Sequence, residues 1–445
     1  MKALKITSVI ILLSAQQIMA QSPMTLKQCV EYAVENSANV QITQEQNKEK
    51  KTEKRDAWLN TFTPHVYANA SVNLSTGRQA DFETNIYKDQ KSETDDYSIN
   101  AEITLFDGLN NINRIKKAQN NNLSSQEMLK AKKEEISLNT IQYYYNYLYY
   151  TKMTDIAQKQ MKDAENSLTK IRREYELGSK NSQDVLDKES VYAEAEYKYT
   201  KYNAMKSNAL LQLKTAMYYP QNQELAIDTT INENIEIYSL ADIAQTAAYA
   251  AENNSESLMK KYNMQNSLKD LNTERWRFLP TISAYAGYST KHGVDLDDRD
   301  AAPSFHDQIK GKASKWVGIS ARIDLYNGLG KVSKVSRAKS EYNIATYEYE
   351  IKQREIEDKV YEAYNELEQQ SKQLESSRKA AELNQKYFEL AKKRFELGLT
   401  NYIEYDQTYN KYLESQANYY NALFTYRIKA AVVNYYKGES YINQL

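Results

Sequence analysis

Residues 106–109 read Phe-Asp-Gly-Leu and residues 175–178 read Tyr-Glu-Leu-Gly, and neither glycine nor proline lies between the two motifs. Both motifs return 220 residues later, as Tyr-Asn-Gly-Leu at 326–329 and Phe-Glu-Leu-Gly at 395–398. After Gly330 the second interval is equally free of glycine and proline. Intervals this long that are rich in Lys, Glu, Gln, Ala and Leu favour helix. The motifs therefore predict two long helices, each of which ends near the glycine of its second motif.

Two further matches extend the repeat toward the N-terminus of each half. Phe62-Thr63-Pro64 corresponds to Phe278-Leu279-Pro280 at an offset of 216. A helical pattern recurs at an offset of 217, where Gln28, Tyr32, Ala33, Glu35 and Asn36 match Gln245, Tyr249, Ala250, Glu252 and Asn253. Four matches in one order predict two copies of one unit, at residues 21–230 and 231–445. Each copy would run helix, strand, loop, strand, long helix, turn, helix.

The helical segments resemble members of a coiled coil. The predicted helices cover about residues 25–62, 109–176, 182–218, 240–278, 329–396 and 402–437. The helix at 109–176 would be roughly 100 Å long at 1.5 Å per residue. Near its end, a heptad spacing of apolar side chains joins Ala157, Met161, Ala164, Leu168, Ile171 and Tyr175. A heptad seam predicts left-handed supercoiling, most directly with the next helix along the chain.

Four short segments alternate apolar and polar residues, as β-strands with one apolar face do. They cover about residues 64–75, 97–106, 280–290 and 316–326. Their length and pattern suit tilted membrane strands with lipid outside and water inside. A half-buried strand of a soluble sheet alternates in the same way, but four such strands in an exported helical chain favour the barrel. The charged segments 77–97 and 291–315 would then be long extracellular loops.

Four strands cannot close a barrel, and an open sheet edge is not tolerated in lipid. A cyclic homo-oligomer would complete the wall. Two copies would give eight strands and a filled bore, whereas three would give twelve and room for water. The polar inward faces favour three. The predicted fold class is therefore a mixed α/β membrane protein, with a transmembrane β-barrel of four strands per protomer closed by trimerisation, and with long helices of the coiled-coil type.

The N-terminus and the composition exclude several classes of protein. Residues 1–20 combine Lys2 and Lys5 with the apolar run 6–13 and an Ile18-Met19-Ala20 cleavage site, which is typical of a signal peptide. The 58 basic and 59 acidic residues nearly balance, which argues against a nucleic-acid partner. One Cys and three His predict neither a disulfide framework nor a metal site. No nucleophile elbow, HExxH motif or phosphate loop is present, so the sequence predicts no enzyme and no cofactor.

The ordered, doubled set of motifs resembles the TolC-like outer-membrane efflux protein family over about residues 25–438. The resemblance implies a homotrimer in outer-membrane lipid, with twelve strands and a periplasmic helical barrel. It also implies a passive exit duct of a tripartite efflux or type I secretion system, which joins a periplasmic adaptor protein to an inner-membrane transporter. The duct would pass small molecules or proteins out of the cell.

The resemblance also assigns roles near the two Glu-Leu-Gly tips. Acidic residues six and nine positions after each tip glycine line the pore constriction in this family, which here implies Asp184, Asp187, Glu404 and Gln407. The alternative for Asp184, Asp187 and Glu404 is that they only stabilise the N-terminus of the helix after each tip. The family tethers its closed state with an aromatic and a basic residue, here Tyr175 and Lys180, but Phe395 and Thr400 in the second copy. The second copy thus departs from the family pattern at Phe395, Thr400 and Gln407.

The hairpin tips would meet the adaptor through Leu177, Gly178, Leu397 and Gly398. The alternative for these residues is an ordinary helix C-cap. For the whole chain, the alternative function is a periplasmic coiled-coil adaptor of the membrane-fusion type. Such an adaptor would have a single hairpin between halves of a lipoyl-like domain, whereas this sequence predicts two hairpins and four alternating strands.

Overall fold

The computed structural model describes residues 23–80, 85–231, 242–298, 302–326 and 328–444. The predicted signal peptide at 1–20 lies outside the described residues. The chain divides into two compact units, which are Met1–Ile42, Ala131–Ala250 and Ile356–Leu445 in the first, and Thr43–Lys130 and Ala251–Glu355 in the second. Each unit draws on both predicted repeats, because equivalent parts of the two copies pack against each other.

Nine α-helices lie in the described part of the chain. They are α1 Leu26–Asn36, α2 Ala38–Phe62, α3 Asn110–Glu176, α4 Ser182–Ala216, α5 Ile243–Asn253, α6 Ser255–Trp276, α7 Phe305–Gly311, α8 Gly330–Glu396 and α9 Tyr402–Tyr436. The long helices α3 and α8 have 67 residues each, and α4 and α9 have 35 each. These equal lengths confirm the predicted two-fold repeat. No helix in the described ranges is both long enough and apolar enough to cross a bilayer.

Two predicted helices are wrong as single elements, since each is interrupted by a capping residue. The helix predicted at 25–62 breaks at Ser37, which has extended backbone and whose hydroxyl accepts a hydrogen bond from the Val40 amide at 3.4 Å. The helix predicted at 240–278 breaks at Asn254, whose side chain accepts from the Glu256 amide at 2.9 Å. Ser and Asn are preferred N-cap residues because their side-chain oxygens satisfy otherwise unpaired amides.

The predicted heptad seam of α3 is largely buried. Ala157, Ala164, Leu168 and Ile171 are all within the core, whereas Tyr175 at the tip is half-exposed. The Arg172 guanidinium donates to the Glu189 carboxylate at 2.7 Å, which joins α3 to α4. The next helix is therefore a partner of α3 along its terminal turns, in agreement with the coiled-coil prediction.

The strands form one antiparallel sheet in the order β1-β2-β3-β4, with β1 His65–Ala80, β2 Tyr87–Phe106, β3 Thr281–Asp295 and β4 Ser314–Arg322. The first hairpin is longer than predicted, because β1 and β2 stay paired as far as Ala80 and Tyr87. The predicted loop 77–97 is thus mostly strand. The predicted loop 291–315 includes the end of β3 and the short helix α7. Conversely, β4 stops at Arg322 rather than continuing to 326.

One face of the sheet is apolar and open, and we call it the apolar face. The register places Val66, Ala101, Ala286 and Val317 in one row of it. In the single chain the exposed fractions are 60% for Val66, 85% for Val317 and 71% for Ile319. The opposite face carries mostly polar side chains such as Asn69 and Ser320, and we call it the polar face. An apolar surface exposed this widely requires lipid or another partner.

Gly108 occupies a position that only glycine fits. Its φ is +69°, and a Cβ there would lie 2.5 Å from the Trp276 carbonyl oxygen. The close approach joins the start of α3 to the end of α6. Asp107 completes this junction, because its carboxylate accepts from the Asn111 amide at 2.9 Å. The Phe-Asp-Gly motif therefore turns the chain from β2 into a capped helix.

Candidate functional site at the hairpin tips

The two hairpin tips have the same backbone geometry. At the first tip, the Ser179 amide donates to the Glu174 carbonyl at 2.9 Å, and Gly178 has φ +74°. At the second, the Leu399 amide donates to the Arg394 carbonyl at 2.8 Å, and the φ of Gly398 is +70°. This bonding pattern is a Schellman motif, which ends a helix with a left-handed glycine.

Each tip presents an apolar side chain to its surroundings. Leu177 is 77% exposed and Leu397 is 74% exposed. A Cβ added at Gly178 or Gly398 would meet no atom within 4 Å, so the tips are also sterically open. An exposed leucine beside a bare glycine backbone suits contact with another protein, although the C-cap alone accounts for the glycine.

The acids six residues after the tip glycines are helix caps. The Asp184 carboxylate accepts from the Asn181 amide at 3.2 Å, while the Asn181 side chain accepts from the Asp184 amide at 2.9 Å. In the second copy, the Asn401 side chain accepts from the Glu404 amide at 2.9 Å. These are the N3 positions of α4 and α9, where a negative charge stabilises the helix N-terminus.

The Glu404 carboxylate has two further partners. The Thr400 hydroxyl donates to it, and the Arg394 guanidinium lies 3.6 Å from it. Thr400 thus supports the Glu404 carboxylate through its hydroxyl. Asp187 and Gln407 lie one turn further along α4 and α9, and both are exposed. Glu404 therefore contacts Thr400 and Arg394, and Asp184 contacts Asn181 within its capping box. Asp187 and Gln407 are accessible.

A lysine that the sequence analysis did not single out contacts the aromatic residue of the second tip. The Lys188 ammonium lies 3.3 Å from the centroid of the Phe395 ring. The Tyr405 ring stacks on Phe395 with centroids 4.6 Å apart and planes 20° apart. Gln160 hydrogen-bonds the Tyr405 hydroxyl and extends the group to α3. Phe395 is thus held between a cation and a second ring, which joins the tip of α8 to α4.

Burial lowers the pKa of Lys188 to about 8, below its ordinary value of 10.5. The Glu396 and Asp187 carboxylates act in the opposite direction, and the nearby Lys180 charge lowers the pKa further. Because the folded chain binds this proton less tightly than the unfolded chain, stability from this group rises as the pH increases from about 8.

We expect the thermal unfolding midpoint to rise between pH 8 and pH 9, by an amount equivalent to roughly 1 kcal/mol per chain once solvent screening of the half-buried lysine is discounted. Cys29 must be replaced by Ala first, because burial raises its pKa from 9.0 to about 12 and would lower stability above pH 9. Lys188→Met should remove the rise, and the matched control Lys201→Met, an exposed lysine of the same helix, should keep it. A rise that persists in Lys188→Met would refute the assignment.

The two cap residues could have been found from the sequence. Asn181 and Asp184 form an Asn-x-x-Asp pattern, and Asn401 and Glu404 form Asn-x-x-Glu at the equivalent positions. No sequence signal indicates Lys188, because its contact with Phe395 joins helices that are about two hundred residues apart in the chain.

The helices that carry the tips share an aromatic core. Phe388 of α8 stacks on Tyr412 with centroids 5.1 Å apart and also contacts Tyr405 and Tyr409 of α9. The Lys198 ammonium of α4 donates to the Asn410 side chain of α9 at 2.7 Å. These contacts bind the first hairpin to the second within the chain, so the tips are held on a packed base.

Comparison with protein families matches residues 32–217 and 247–434 of this chain to the model described as outer membrane efflux protein. The two matched segments correspond to the two predicted repeats. The comparison with curated proteins gave no match.

Several solved structures have the same fold at low sequence identity. The open-state MtrE outer membrane channel of Neisseria gonorrhoeae is 14% identical with a TM-score of 0.73, and the match covers 94% of this chain and 90% of that one. The CmeC outer membrane channel of Campylobacter jejuni is 13% identical with a TM-score of 0.72, covering 93% and 85%. The outer membrane protein VceC of Vibrio cholerae is 12% identical with a TM-score of 0.68, covering 94% and 96%.

Proposed function

This chain belongs to the outer membrane efflux protein family, and from that premise we propose that three copies form the passive exit duct of a tripartite efflux or type I secretion system. The family is one of transport channels rather than of enzymes, and it resides in the outer membrane. The duct would receive small molecules or proteins from an inner-membrane transporter through a periplasmic adaptor.

The observation that carries this proposal is the open apolar face of the four-stranded sheet. Its residues Val317 and Ile319 lie on β4, an edge strand whose outer side has no partner strand within the described sheet. β1 forms the other edge. Pairing β4 of one copy with β1 of the next would satisfy both edges, and three copies would give a twelve-stranded barrel with lipid outside.

Two uncovered heptad seams support association of the helices as well. On α4, residues at heptad spacing that are exposed in the single chain are Leu186, Ala193, Tyr197, Ala204 and Leu211. On α8, the exposed series is Ser376, Ala380, Leu383, Tyr387 and Leu390. Small and apolar residues at a and d positions are the pattern of a helix that packs against another helix. We call these series the α4 seam and the α8 seam, and a second copy of the chain is the proposed partner.

The pore constriction is proposed to lie near the tips, with Glu404 and Asp187 as its main charges and Asp184 and Gln407 beside them. Supporting this, Asp187 is exposed and Glu404 is partly exposed. Three copies of each acid around a narrow bore would attract cations and repel anions. The Arg394 guanidinium, 3.6 Å from the Glu404 carboxylate, reduces the contribution of Glu404 to this charge.

The tips are the proposed docking surface for the adaptor. Leu177 and Leu397 are exposed, and Gly178 and Gly398 leave room for close backbone approach. The matches to the family model and to the solved channel structures give no support to the alternative that the chain is itself the adaptor.

Planar-bilayer recording of the purified protein tests the duct and its charge together. We expect a cation-selective pore, and in a KCl gradient Glu404→Ala should move the reversal potential toward zero, because it removes three charges from the bore. The matched control is Gln407→Ala, which removes no charge and should leave the reversal potential unchanged. Absence of any pore would refute the duct, whereas a pore with unaltered selectivity in Glu404→Ala would refute only the role of this acid.

A further inference from the structure

A shallow groove of about 300 Å³ lies on the apolar face of the sheet. Its lining consists of Ala68, Ala70, Tyr97, Ile99 and Tyr288 of the apolar face, together with the intervening Asn69 and Ser98. The two alanines of β1 leave space between larger neighbours, so the groove has an apolar floor with tyrosines along its sides. Its size and lining suit part of a hydrocarbon chain rather than a polar solute.

A lysine stands at the same height on the sheet as this groove. The register aligns Ala68, Ile99, Tyr288 and Lys315 in a single row across all four strands. Because directly paired residues share a face, Lys315 lies on the apolar face. The row on the helix-proximal side of it, which contains Ala101, Ala286 and Val317, is wholly apolar. On β4, Lys315 therefore marks the end of the apolar surface on the side farther from the helices, whereas on β1 the surface continues through Val72 and Leu74.

The helix α7 covers the apolar face immediately beyond this row. The Thr290 hydroxyl of β3 donates to the Ile309 carbonyl of α7 at 2.6 Å. The Phe305 ring meets the edge of the Tyr97 ring, with centroids 6.3 Å apart. On β3 and β4 hydrocarbon contact therefore ends near Tyr288, where aromatic residues can mark the membrane interface, whereas on β1 the exposed Val72 and Leu74 continue the apolar face further.

The exposed charged residues at this boundary include two lysines and the acid Asp307. Lys310 and Lys315 are both exposed. The carboxylate of Asp307 accepts from the Ser304 hydroxyl at 2.7 Å, and that of Asp95 lies 3.0 Å from the His292 ring nitrogen. Both carboxylates have hydrogen-bond partners, although Asp307 keeps its charge because the Ser304 hydroxyl is neutral. Lysines at the edge of an apolar surface can extend away from such acids toward lipid headgroups.

We propose that this surface binds an anionic phosphate-bearing lipid of the leaflet farther from the helices, with one acyl chain in the groove and the headgroup phosphate at Lys315 and Lys310. The binding site is on the outer wall of the duct and is separate from the pore. It depends on the outer-membrane location of the chain and not on the adaptor or on the charge of the constriction.

Native mass spectrometry of the delipidated trimer in nonionic detergent, titrated with phosphatidylglycerol, tests the proposal. We expect retained lipid at up to three copies per trimer, and Lys315→Gln should weaken binding about fivefold, as expected for loss of one lysine near a lipid phosphate. Lys291→Gln is the matched control, because Lys291 pairs with Asp96 on the polar face of the same sheet. The trimer mass is read in the same spectrum, so failure to assemble is distinguished from failure to bind lipid.

A second pair of variants tests the groove itself. Ala70→Phe fills the groove and should reduce retention of phosphatidylglycerol severalfold, while Ser71→Phe on the polar face should not. Excess inorganic phosphate should fail to displace the lipid, because the acyl chain supplies part of the binding. The proposal is overturned by equal retention of zwitterionic phosphatidylcholine, by equal binding in Lys315→Gln and Lys291→Gln, by an ineffective Ala70→Phe, or by displacement with phosphate alone.

Discussion

Ile319→Arg should prevent the chain from assembling in the outer membrane. Ile319 is 71% exposed on the apolar face and pairs with Ala284, in the middle of the apolar rows. An arginine at the centre of a lipid-facing strand costs about 2–4 kcal/mol. A trimer carries it three times, so the total of roughly 10 kcal/mol is comparable to the whole stability of a typical folded protein. Heat-modifiable gel mobility of outer-membrane fractions should show loss of the folded trimer band.

Ser320→Arg is the control for this variant, since it adds the same side chain one residue further along β4. Ser320 pairs with Ser283 on the polar face, which would face water inside the duct. We expect a trimer band close to that of the unmodified protein. If both variants assembled equally well, the apolar face would not contact lipid, and a soluble sheet would become the better interpretation.

The long helices and the tips could be predicted because their signals are local. Three signals determine the helices within a few turns: the lack of glycine and proline, the heptad spacing of apolar residues, and a left-handed glycine at Gly178. The same signals recur 220 residues later in the second copy. The fold class and the family follow from those signals, and the matched segments 32–217 and 247–434 confirm them. The alternation of apolar and polar residues also located all four strands, because one face of each strand must be apolar where it contacts lipid.

The errors arise where stabilisation is not local or not apolar. The β1–β2 hairpin continues to Ala80 and Tyr87 through backbone pairing between largely polar strands, and alternation cannot detect such strands. Ser37 and Asn254 interrupt helices through side-chain caps that single polar residues provide. The contact between Lys188 and Phe395 exists only once α4 packs against α8, so no local pattern contains it.

The charge and tip assignments remain proposals for a physical reason. Asp184 completes a capping box and Glu404 occupies the same N3 position after the Asn401 cap, and a helix N-terminus favours the same residue types at the same spacing as an acidic pore ring. Only a measurement that responds to charge in the bore separates the two roles. Substitution by Asn or Gln would keep part of the cap, whereas the conductance change follows the charge alone.

Replacing Leu383 and Leu390 together by Glu is expected to convert the trimer into monomers. Both leucines belong to the α8 seam and are exposed in the single chain, so the variant should leave the fold of the monomer intact. Burying one leucine side chain contributes about 1.5–3 kcal/mol, and with two per chain in three copies the loss is on the order of 10 kcal/mol per trimer. Buried, unpaired carboxylates would add to this cost. Light scattering coupled to size-exclusion chromatography in detergent measures the assembled mass.

The matched control for the seam is Arg378→Glu with Gln385→Glu. These two residues are also exposed on α8 and are also seven positions apart, but they lie off the α8 seam. Their carboxylates would remain in water, so the trimer should persist. Dissociation in both variants would indicate a general effect of negative charge on α8. A trimer that survives the Leu383 and Leu390 changes would place the seam against another partner, and the proposed pairing of α8 with a second copy would then be wrong.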